Sequence, residues 1–155
     1  MKYEPAFHVV LYQPEIPQNT GNIGRTCLAI GAKLWLVRPL GFNVDQRALR
    51  RAGLDYWKHL NWEVVSDWNE LIIKLPDRQP WFFSKKAGRV YTDVAFARGD
   101  VFVFGCETQG LPAAMLIDNA ERCLRMPTRD AVRSLNLANA VAVAVYEAVR
   151  QVGLD

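Results

Sequence analysis

Short apolar runs alternate with segments of helical spacing along almost the whole chain, and this alternation constrains the fold more than any other feature. Six runs have the length and the boundaries of buried strands, at 7–12, 33–37, 62–65, 81–83, 101–104 and 122–126. Segments of helical spacing lie between and after them, at 20–30, 45–52, 67–75, 112–117 and 135–152. Because strands that alternate with helices are typical of an α/β domain, we expect a mostly parallel sheet flanked by helices.

Length and composition fit one globular domain of this class. The chain has 155 residues, of which 50% are hydrophobic and 23% are charged, and this balance excludes a disordered chain. No internal repeat, low-complexity tract or linker divides the sequence. Residues 1–155 are therefore predicted to form a single domain.

The cysteine pattern and the apolar runs indicate a cellular compartment. Cys27, Cys106 and Cys123 are too far apart along the chain for a zinc-knuckle or redox motif, so no metal site is expected. An odd count without a pattern is typical of the reducing cytosol. No signal-peptide core begins the sequence, and no apolar run approaches the ~20 residues of a membrane span. We therefore predict a cytoplasmic protein without a membrane anchor.

The net charge is +3, from 19 basic and 16 acidic side chains, and it is too small by itself to indicate a nucleic-acid partner. The basic residues are clustered, however, and one cluster stands close to Tyr56 and Trp57. The three clusters are Arg47, Arg50 and Arg51; Lys85, Lys86 and Arg89; and Arg129 with Arg133. Basic side chains interleaved with aromatic ones suit phosphates and unstacked bases, and the alternative is ordinary solvated surface charge.

Three segments depart from ordinary structure, and the first is 17–25, Pro-Gln-Asn-Thr-Gly-Asn-Ile-Gly-Arg, between the first strand and the first helix. Its glycines and asparagines can adopt left-handed dihedrals and bring backbone N–H groups close to a ligand. Arg25 is expected one turn into the helix, within reach of a phosphate or hydroxyl at the helix N-terminus. The segment is neither a dinucleotide fingerprint nor a Walker loop, and a plain strand-to-helix turn is the alternative.

The second segment is 104–112, Phe-Gly-Cys-Glu-Thr-Gln-Gly-Leu-Pro, in which a buried strand ends at Gly105 and a loop leads into a helix. Ligands of open α/β sheets bind beyond the carboxyl ends of the strands, which is where this loop is expected. Glu107 is placed to accept hydrogen bonds from exposed backbone amides or from a cationic group. A solvated loop glutamate is the alternative.

The third segment, 126–139, is a polar loop with Arg129 and Arg133 that runs into the longest helix. Ser134 is the predicted N-cap of that helix, and Asn136 and Asn139 fall on one face of its first turns. The helix is nearly uncharged as far as Val145, and a helix that is apolar all round must be buried on all sides. We therefore expect a homodimer contact that includes Tyr146, the alternative being a central helix buried within one subunit.

In this order and at these separations, the three segments resemble the three motifs of the SPOUT RNA methyltransferases. The resemblance also includes residues 11–23, the basic stretch 50–56 and the helix at 133–146, and it covers nearly the whole chain. The sequence is most similar to the bacterial members that methylate the ribose of the wobble nucleotide of tRNA. This resemblance implies transfer of a methyl group from S-adenosylmethionine to the ribose 2'-hydroxyl of nucleotide 34, a cytidine or modified uridine, in the anticodon loop.

The resemblance also implies features that the pattern of residues does not show. The parallel sheet of the family carries a deep C-terminal trefoil knot, S-adenosylmethionine binds in the knot, and a homodimer completes the site. The length leaves no room for a separate RNA-binding domain, so the catalytic dimer is expected to recognise the tRNA itself.

Site residues follow from the resemblance position by position. Arg25, Ser134 and Asn136 are the implied catalytic residues. The implied cofactor-binding residues are Phe83, Gly105, Met126, Ser134 and Leu135, and the implied substrate-binding residues are Asn19, Arg47, Arg50, Arg51, Tyr56, Arg129 and Arg133. No histidine lies in the three segments, and Arg25 is expected to clamp the substrate phosphate and to stabilise the developing alkoxide, because a guanidinium rarely loses its proton.

Other functions are compatible with these residues. A 2'-O-methyltransferase acting at another tRNA or rRNA position would use the same motifs. A non-catalytic RNA-binding protein on the same fold is a second alternative, although the presence of Arg25, Ser134 and Asn136 argues against a decayed site. A nucleotide-dependent oxidoreductase is disfavoured because the dinucleotide fingerprint is missing.

Overall fold

The computed structural model of the protein describes residues 4–44, 55–75, 77 and 79–154. The basic helix predicted at 45–52 lies outside the described residues. Three of the predicted substrate-binding residues, Arg47, Arg50 and Arg51, therefore also lie outside them.

The described residues form seven strands, four α-helices and three short 3-10 turns. The strands are β1 (His8–Tyr12), β2 (Lys33–Val37), β3 (Trp62–Val65), β4 (Trp81–Phe83), β5 (Arg89–Val90), β6 (Val101–Phe104) and β7 (Cys123–Arg125). The helices are α1 (Pro17–Ile30), α2 (Trp68–Lys74), α3 (Ala113–Asp118) and α4 (Leu137–Val152), and the 3-10 turns are Asp55–His59, Tyr91–Asp93 and Ala120–Arg122. The sequence pattern missed β5, because two residues without a buried run carry no strand periodicity.

The strands form one sheet in the order β3-β2-β1-β6-β4-β7-β5, and every described strand pair is parallel. The first strand lies in the interior of the sheet, with Val9 opposite both Leu34 of β2 and Phe102 of β6. The predicted α/β fold with a parallel sheet and flanking helices is confirmed. Because the strands are parallel, the carboxyl ends of β1, β6, β4 and β7 meet along one edge, where all three unusual segments begin.

Alternate side chains of the strands enter two separate cores. Val9 and Leu11 of β1 pack with α1 and α4 on one face of the sheet, whereas Val10 packs with α2 on the other. The first face carries the larger core, which includes Ile23 and Cys27 of α1. Helices α1 and α4 are packed against each other on that face, and this contact brings the first and third segments together.

Helix α1 begins at Pro17, three residues before the predicted start at residue 20, and the expectation of left-handed glycines in 17–25 is wrong. Gly21 and Gly24 lie inside the helix, and neither has a positive φ. Close packing explains why glycine occupies position 24, since a Cβ there would lie 2.9 Å from Cε3 of Trp57 and 3.0 Å from Cδ2 of Leu60. The glycine therefore allows the turn Asp55–His59 to lie directly on α1.

Helix α4 begins at Leu137, and the prediction of Ser134 as its N-cap is wrong. Asn136 occupies the cap, and its side-chain oxygen accepts a hydrogen bond from the backbone N–H of Asn139 at 3.2 Å. Residues 127–136 are all exposed, so the loop continues two residues beyond the predicted helix start. The buried stripe of the helix begins only at Ala138.

One face of α4 is buried, and the alternative of a helix buried on all sides within one subunit is excluded. Val141, Ala144, Val145 and Ala148 face the core, while Val143 and Tyr146 remain 46% and 49% exposed. Neither α4 nor any other helix in the described part of the chain is long and apolar enough to cross a membrane.

We expect Gly24→Ala to destabilise the protein. The added methyl would collide with the buried Trp57 ring at a cost of about 1–3 kcal/mol, which exceeds the about 0.5–1 kcal/mol that alanine gains over glycine within a helix. Gly88→Ala is the control, because a Cβ at that exposed position meets nothing within 4 Å. Urea unfolding measures both variants, and equal free energies of unfolding would contradict the close packing of Trp57 on α1.

We expect Asn136→Ala to lower the free energy of unfolding by about 1 kcal/mol, because it removes the side-chain cap of α4. Ser134→Ala is the matched control. If the serine variant loses as much stability in the same denaturant titration, the cap is misassigned.

Candidate active site

A cleft of about 660 Å³ opens at the carboxyl edge of the sheet, beside the ends of β4, β6 and β7. Parts of all three unusual segments line it. The lining residues are Phe83–Lys86 after β4, Phe104–Leu111 along β6 and its loop, Met126, Thr128 and 133–137 after β7, together with Ile16, Asn19, Leu116, Leu124 and Ala140. The volume is typical of a site for a small molecule, and apolar side chains line much of it.

The five residues predicted to bind the cofactor all line this cleft. They are Phe83, Gly105, Met126, Ser134 and Leu135. Phe83 is fixed by stacking on Phe104, with ring centroids 4.6 Å apart and planes inclined by 16°. The structure therefore brings together residues that come from three separate strand ends, and their part in holding a cofactor stays a prediction.

Close backbone contacts set the shape of the loop after β6. Gly105 and Gly110 lie so near each other that a Cβ on Gly105 would be 2.5 Å from the Cα of Gly110. The backbone of Gly110 has φ +68°, a left-handed value that glycine adopts without strain. A short bridge between Cys106 and Gly110 closes the loop, so that Glu107 lies at its bend.

Glu107 accepts hydrogen bonds from backbone amides, as predicted, and it is not a solvated loop glutamate. Its two carboxylate oxygens accept from the N–H groups of Glu15 and Ile16, each at 2.8 Å. One of the oxygens also accepts from the side-chain amide of Asn19 at 3.2 Å. The residue thus fastens the loop after β6 to the start of α1.

Glu15, which is not among the predicted site residues, connects the start of α1 back to the loop after β6. Its carboxylate accepts from the N–H of Thr108 at 3.0 Å and from the Thr108 hydroxyl at 2.7 Å. These hydrogen bonds hold the pKa of Glu15 below its ordinary value. A glutamate in a strand-to-helix loop carries no signal that identifies a partner 93 residues away.

The third segment joins this arrangement through Asn136 and Arg133. The side-chain amide of Asn136 donates to the side-chain oxygen of Asn19 at 3.1 Å. The Arg133 guanidinium donates to the carbonyl of Thr108 at 3.3 Å. Asn19, Arg133 and Asn136 all line the cleft, whereas the exposed Arg129 is not among the lining residues.

Arg25 lies away from the cleft, and its predicted place one turn into the helix is wrong. Because α1 begins at Pro17, Arg25 is the ninth residue of the helix, about 12 Å along its axis. The side chain is exposed, and its guanidinium carbon lies 6.0 Å from the centre of the Tyr56 ring. It is absent from the residues that line the cleft of its own subunit.

Tyr56 contacts α1 and lies beside Arg25. Its hydroxyl donates to the carbonyl of Gly21. Partial burial raises the pKa of the Tyr56 phenol, and the nearby Arg25 charge opposes this shift. Tyr56 therefore connects the turn Asp55–His59 to α1 beside Arg25.

Polar and cationic side chains are among the residues that line the cleft. Lys85, Lys86 and Arg133 line it, and no histidine is among its lining residues. No group of three or more His, Cys, Asp or Glu side chains suited to a metal ion occurs in the described residues. The groups available for chemistry among the lining residues are thus serine, threonine, cysteine, asparagine, glutamine, glutamate, arginine and lysine side chains with backbone N–H and carbonyl groups.

Comparison with known proteins supplies the family. Residues 6–146 match the model of the SpoU rRNA Methylase family. A tRNA (cytidine(34)-2'-O)-methyltransferase from Burkholderia cenocepacia is 48% identical over 153 residues, which cover 96% of this chain and 97% of that protein. A second relative of that name, from Methylovorus glucosotrophus, is 46% identical over 94% of this chain and 95% of its own.

Two solved structures share the fold. One, from work on the 2-OH methylation of C/U34 on tRNA, has a TM-score of 0.88 and 44% identity over 94% of this chain and 95% of its own. The SpoU methyltransferase AviRb from Streptomyces viridochromogenes, in complex with AdoMet, has a TM-score of 0.79 and 25% identity over 97% of this chain and 59% of its own. The chain described here belongs to the SpoU methylase family.

Proposed function

We propose that this protein transfers a methyl group from S-adenosylmethionine to the ribose 2'-hydroxyl of nucleotide 34, a cytidine or modified uridine, in the tRNA anticodon loop. The observation that carries the proposal is the cleft in which all three motif segments meet, in a chain nearly half identical to enzymes named for this reaction. Residues 1–155 act as one methyltransferase domain in this proposal, in the cytoplasm, where tRNA is available.

The cleft suits S-adenosylmethionine in size and chemistry. Its volume of about 660 Å³ is sufficient for a nucleoside carrying an amino acid. Phe83, Leu124, Met126 and Leu135 provide apolar walls for an adenine ring, and the loop 105–110 provides backbone polar groups. In support, AviRb is a family member that binds AdoMet. We further infer that this cleft lies in the deep trefoil knot typical of the wider SPOUT group.

Positioning supplies much of the acceleration in this reaction. When bound, the cofactor supplies an electrophilic methyl group on a sulfonium. The tasks of the protein are to align the ribose 2'-oxygen and to stabilise its negative charge as it loses a proton. Ser134 and Asn136 at the cleft offer hydroxyl and amide groups for these tasks.

Arg25 acts on the tRNA rather than on the cofactor in this proposal. Its guanidinium is exposed and lies outside the cleft of its own subunit, so it is free to clamp a phosphate and to favour the alkoxide. Lys85, Lys86 and Arg133 extend the basic surface at the cleft. Arg129, four residues before Arg133, is also exposed. The substrate residues Arg47, Arg50 and Arg51 remain part of the proposal.

We also propose that the active form is a homodimer joined through α4. The exposed face with Val143 and Tyr146 lies opposite the buried stripe of that helix. Burying two apolar side chains that are each half exposed is favourable. A second subunit offers one way for Arg25 to serve a cleft, because its own subunit does not place it there.

Methyl transfer from labelled S-adenosylmethionine to tRNA tests the function. We expect incorporation into a tRNA with cytidine 34 and none into the same tRNA with 2'-deoxycytidine 34, because the accepting oxygen is then absent. Mapping the methylated nucleotide completes the measurement. Equal labelling of both substrates, or label at another tRNA or rRNA position, would show that nucleotide 34 is not the target.

We expect Arg25→Ala to lower kcat by about 10²-fold or more while the Kd for S-adenosylhomocysteine stays near that of the wild type. In this proposal Arg25 contacts the tRNA and not the cofactor, so cofactor affinity should not depend on it. Arg98→Ala is the control, since that exposed arginine contacts the carbonyl of Leu154 near the other end of the sheet. Near-normal turnover of the Arg25 variant would remove Arg25 from the mechanism.

A further inference from the structure

We propose that Glu107 is a positioning residue that fixes the amide orientations of Asn19 and, through it, of Asn136. Its catalytic consequence rests on the proposed function, because Asn136 is one of the groups placed beside the reacting ribose. The geometric part of the proposal concerns hydrogen bonds between described residues and stands on its own.

An ionised carboxylate accepts hydrogen bonds and donates none. Glu107 lies against three donors: the backbone N–H groups of Glu15 and Ile16 and the side-chain NH₂ of Asn19. The two backbone donors cannot turn away. Asn19 could turn its amide by half a rotation, but its oxygen would then face a carboxylate oxygen. The charge on Glu107 therefore directs the NH₂ of Asn19 toward itself.

This orientation is transmitted to Asn136. With the NH₂ of Asn19 on Glu107, the oxygen of Asn19 faces Asn136 and accepts a hydrogen bond from its NH₂ at 3.1 Å. The oxygen of Asn136 is then turned to the N–H of Asn139, which it caps at 3.2 Å. These hydrogen bonds form a chain from Glu107, which can only accept, to the backbone N–H of Asn139, which can only donate. Only one orientation of the Asn19 and Asn136 amides satisfies every contact in this chain.

Burial makes the orientation of Asn19 strict, while the exposed Asn136 is held by its hydrogen bonds to Asn19 and to the N–H of Asn139. Asn19 is only 7% exposed, so water has little access to compensate a wrongly turned amide. A donor that faces another donor in such a place loses its hydrogen bond and also its hydration. Reversal of Asn19 would set its NH₂ against the NH₂ of Asn136. The latter would then give up either its anchor on Asn19 or its cap on α4.

The orientation decides what Asn136 presents to the cleft. An amide NH₂ carries two N–H donors, and Asn19 takes one of them. The second remains for a ligand, and an N–H donor is what a ribose oxygen gaining negative charge requires. Glu107 touches neither substrate nor cofactor in this account, since both of its oxygens are engaged by the protein.

Glu107→Gln tests the proposal, because the side chain keeps its size but places an NH₂ among three donors. We expect kcat for tRNA methylation to fall by about 10²-fold, as for a catalytic group that is slightly misplaced. The Kd for S-adenosylhomocysteine should stay near the wild-type value. Glu15→Gln is the matched control: it removes a carboxylate from the same junction, where the contact is to Thr108 and not to Asn19. Its kcat should stay near that of the wild type.

Two further variants separate orientation from general support of the loop. Asn19→Asp alone sets two carboxylates against each other and should also lower kcat. In the double variant Glu107→Gln with Asn19→Asp, the introduced glutamine amide donates to the introduced aspartate, which again offers an acceptor to Asn136. We expect this pair to recover part of the lost kcat. Loss of backbone support at Glu15 and Ile16 would not be repaired by a change at Asn19.

A readout without turnover distinguishes this proposal from the proposed function. The side-chain NH₂ signals of Asn136 in an NMR spectrum, and hydrogen exchange at the Asn139 amide, should change in Glu107→Gln, not change in Glu15→Gln, and return in the double variant. If the wild type methylates no RNA while these signals behave as expected, the proposed function fails and the positioning stands.

Three results would overturn the positioning role. The first is that the Asn136 and Asn139 signals do not change in Glu107→Gln. The second is an equal loss of kcat in Glu107→Gln and Glu15→Gln. The third is an increase in the Kd for S-adenosylhomocysteine that accounts for the whole loss of activity. If Glu107→Gln does not fold, the comparison of Asn19→Asp with the double variant decides the same question.

Discussion

Parallel pairing of the central strands is the constraint on which the rest of this structure depends. β1 lies between β2 and β6, and β4 and β7 continue the sheet on the far side of β6. Parallel strands end at the same edge, so segments far apart in the sequence leave the sheet side by side. The cleft follows directly from this order. The packing of α1 against α4 adds to this strand order, and residues 16–19, 105–111 and 133–137 come together at the cleft.

At that edge the loops are held by polar side chains and not by apolar burial. Two glutamates on neighbouring loops each accept hydrogen bonds from the backbone of the other loop, Glu107 from residues 15 and 16 before α1 and Glu15 from Thr108. Such reciprocal contacts fix both loops while leaving the apolar walls of the cleft uncovered. The two cores on the faces of the sheet stabilise the fold, so the apolar side chains at its carboxyl edge remain available to bind a ligand. This arrangement suits a site for a partly apolar cofactor.

Much of the fold could be predicted from the residues, and the reasons are local. Six of the strands have apolar runs of the right length, and the α2 cap follows from Asp67, whose side chain accepts from the N–H of Glu70. The errors arose where a tertiary contact overrides a local pattern. Gly24 suggests a left-handed backbone, but its φ is not positive, and glycine is needed there because the Trp57 ring lies too close for a larger side chain. Ser134 is a good cap by type, yet the buried stripe of α4 begins later and selects Asn136.

The sequence by itself determined the α/β class, the three segments that contain the site and the family they resemble, because strand length, helical spacing and motif order are local properties of the chain. Only the tertiary structure decided which side chains meet. Glu107 and Asn19 are 88 residues apart, and Asn19 and Asn136 are 117 residues apart. It also decided that Arg25, the ninth residue of α1, is not among the residues that line the cleft of its own subunit. Contacts of this kind depend on the order of strands in the sheet, which no spacing along the chain encodes.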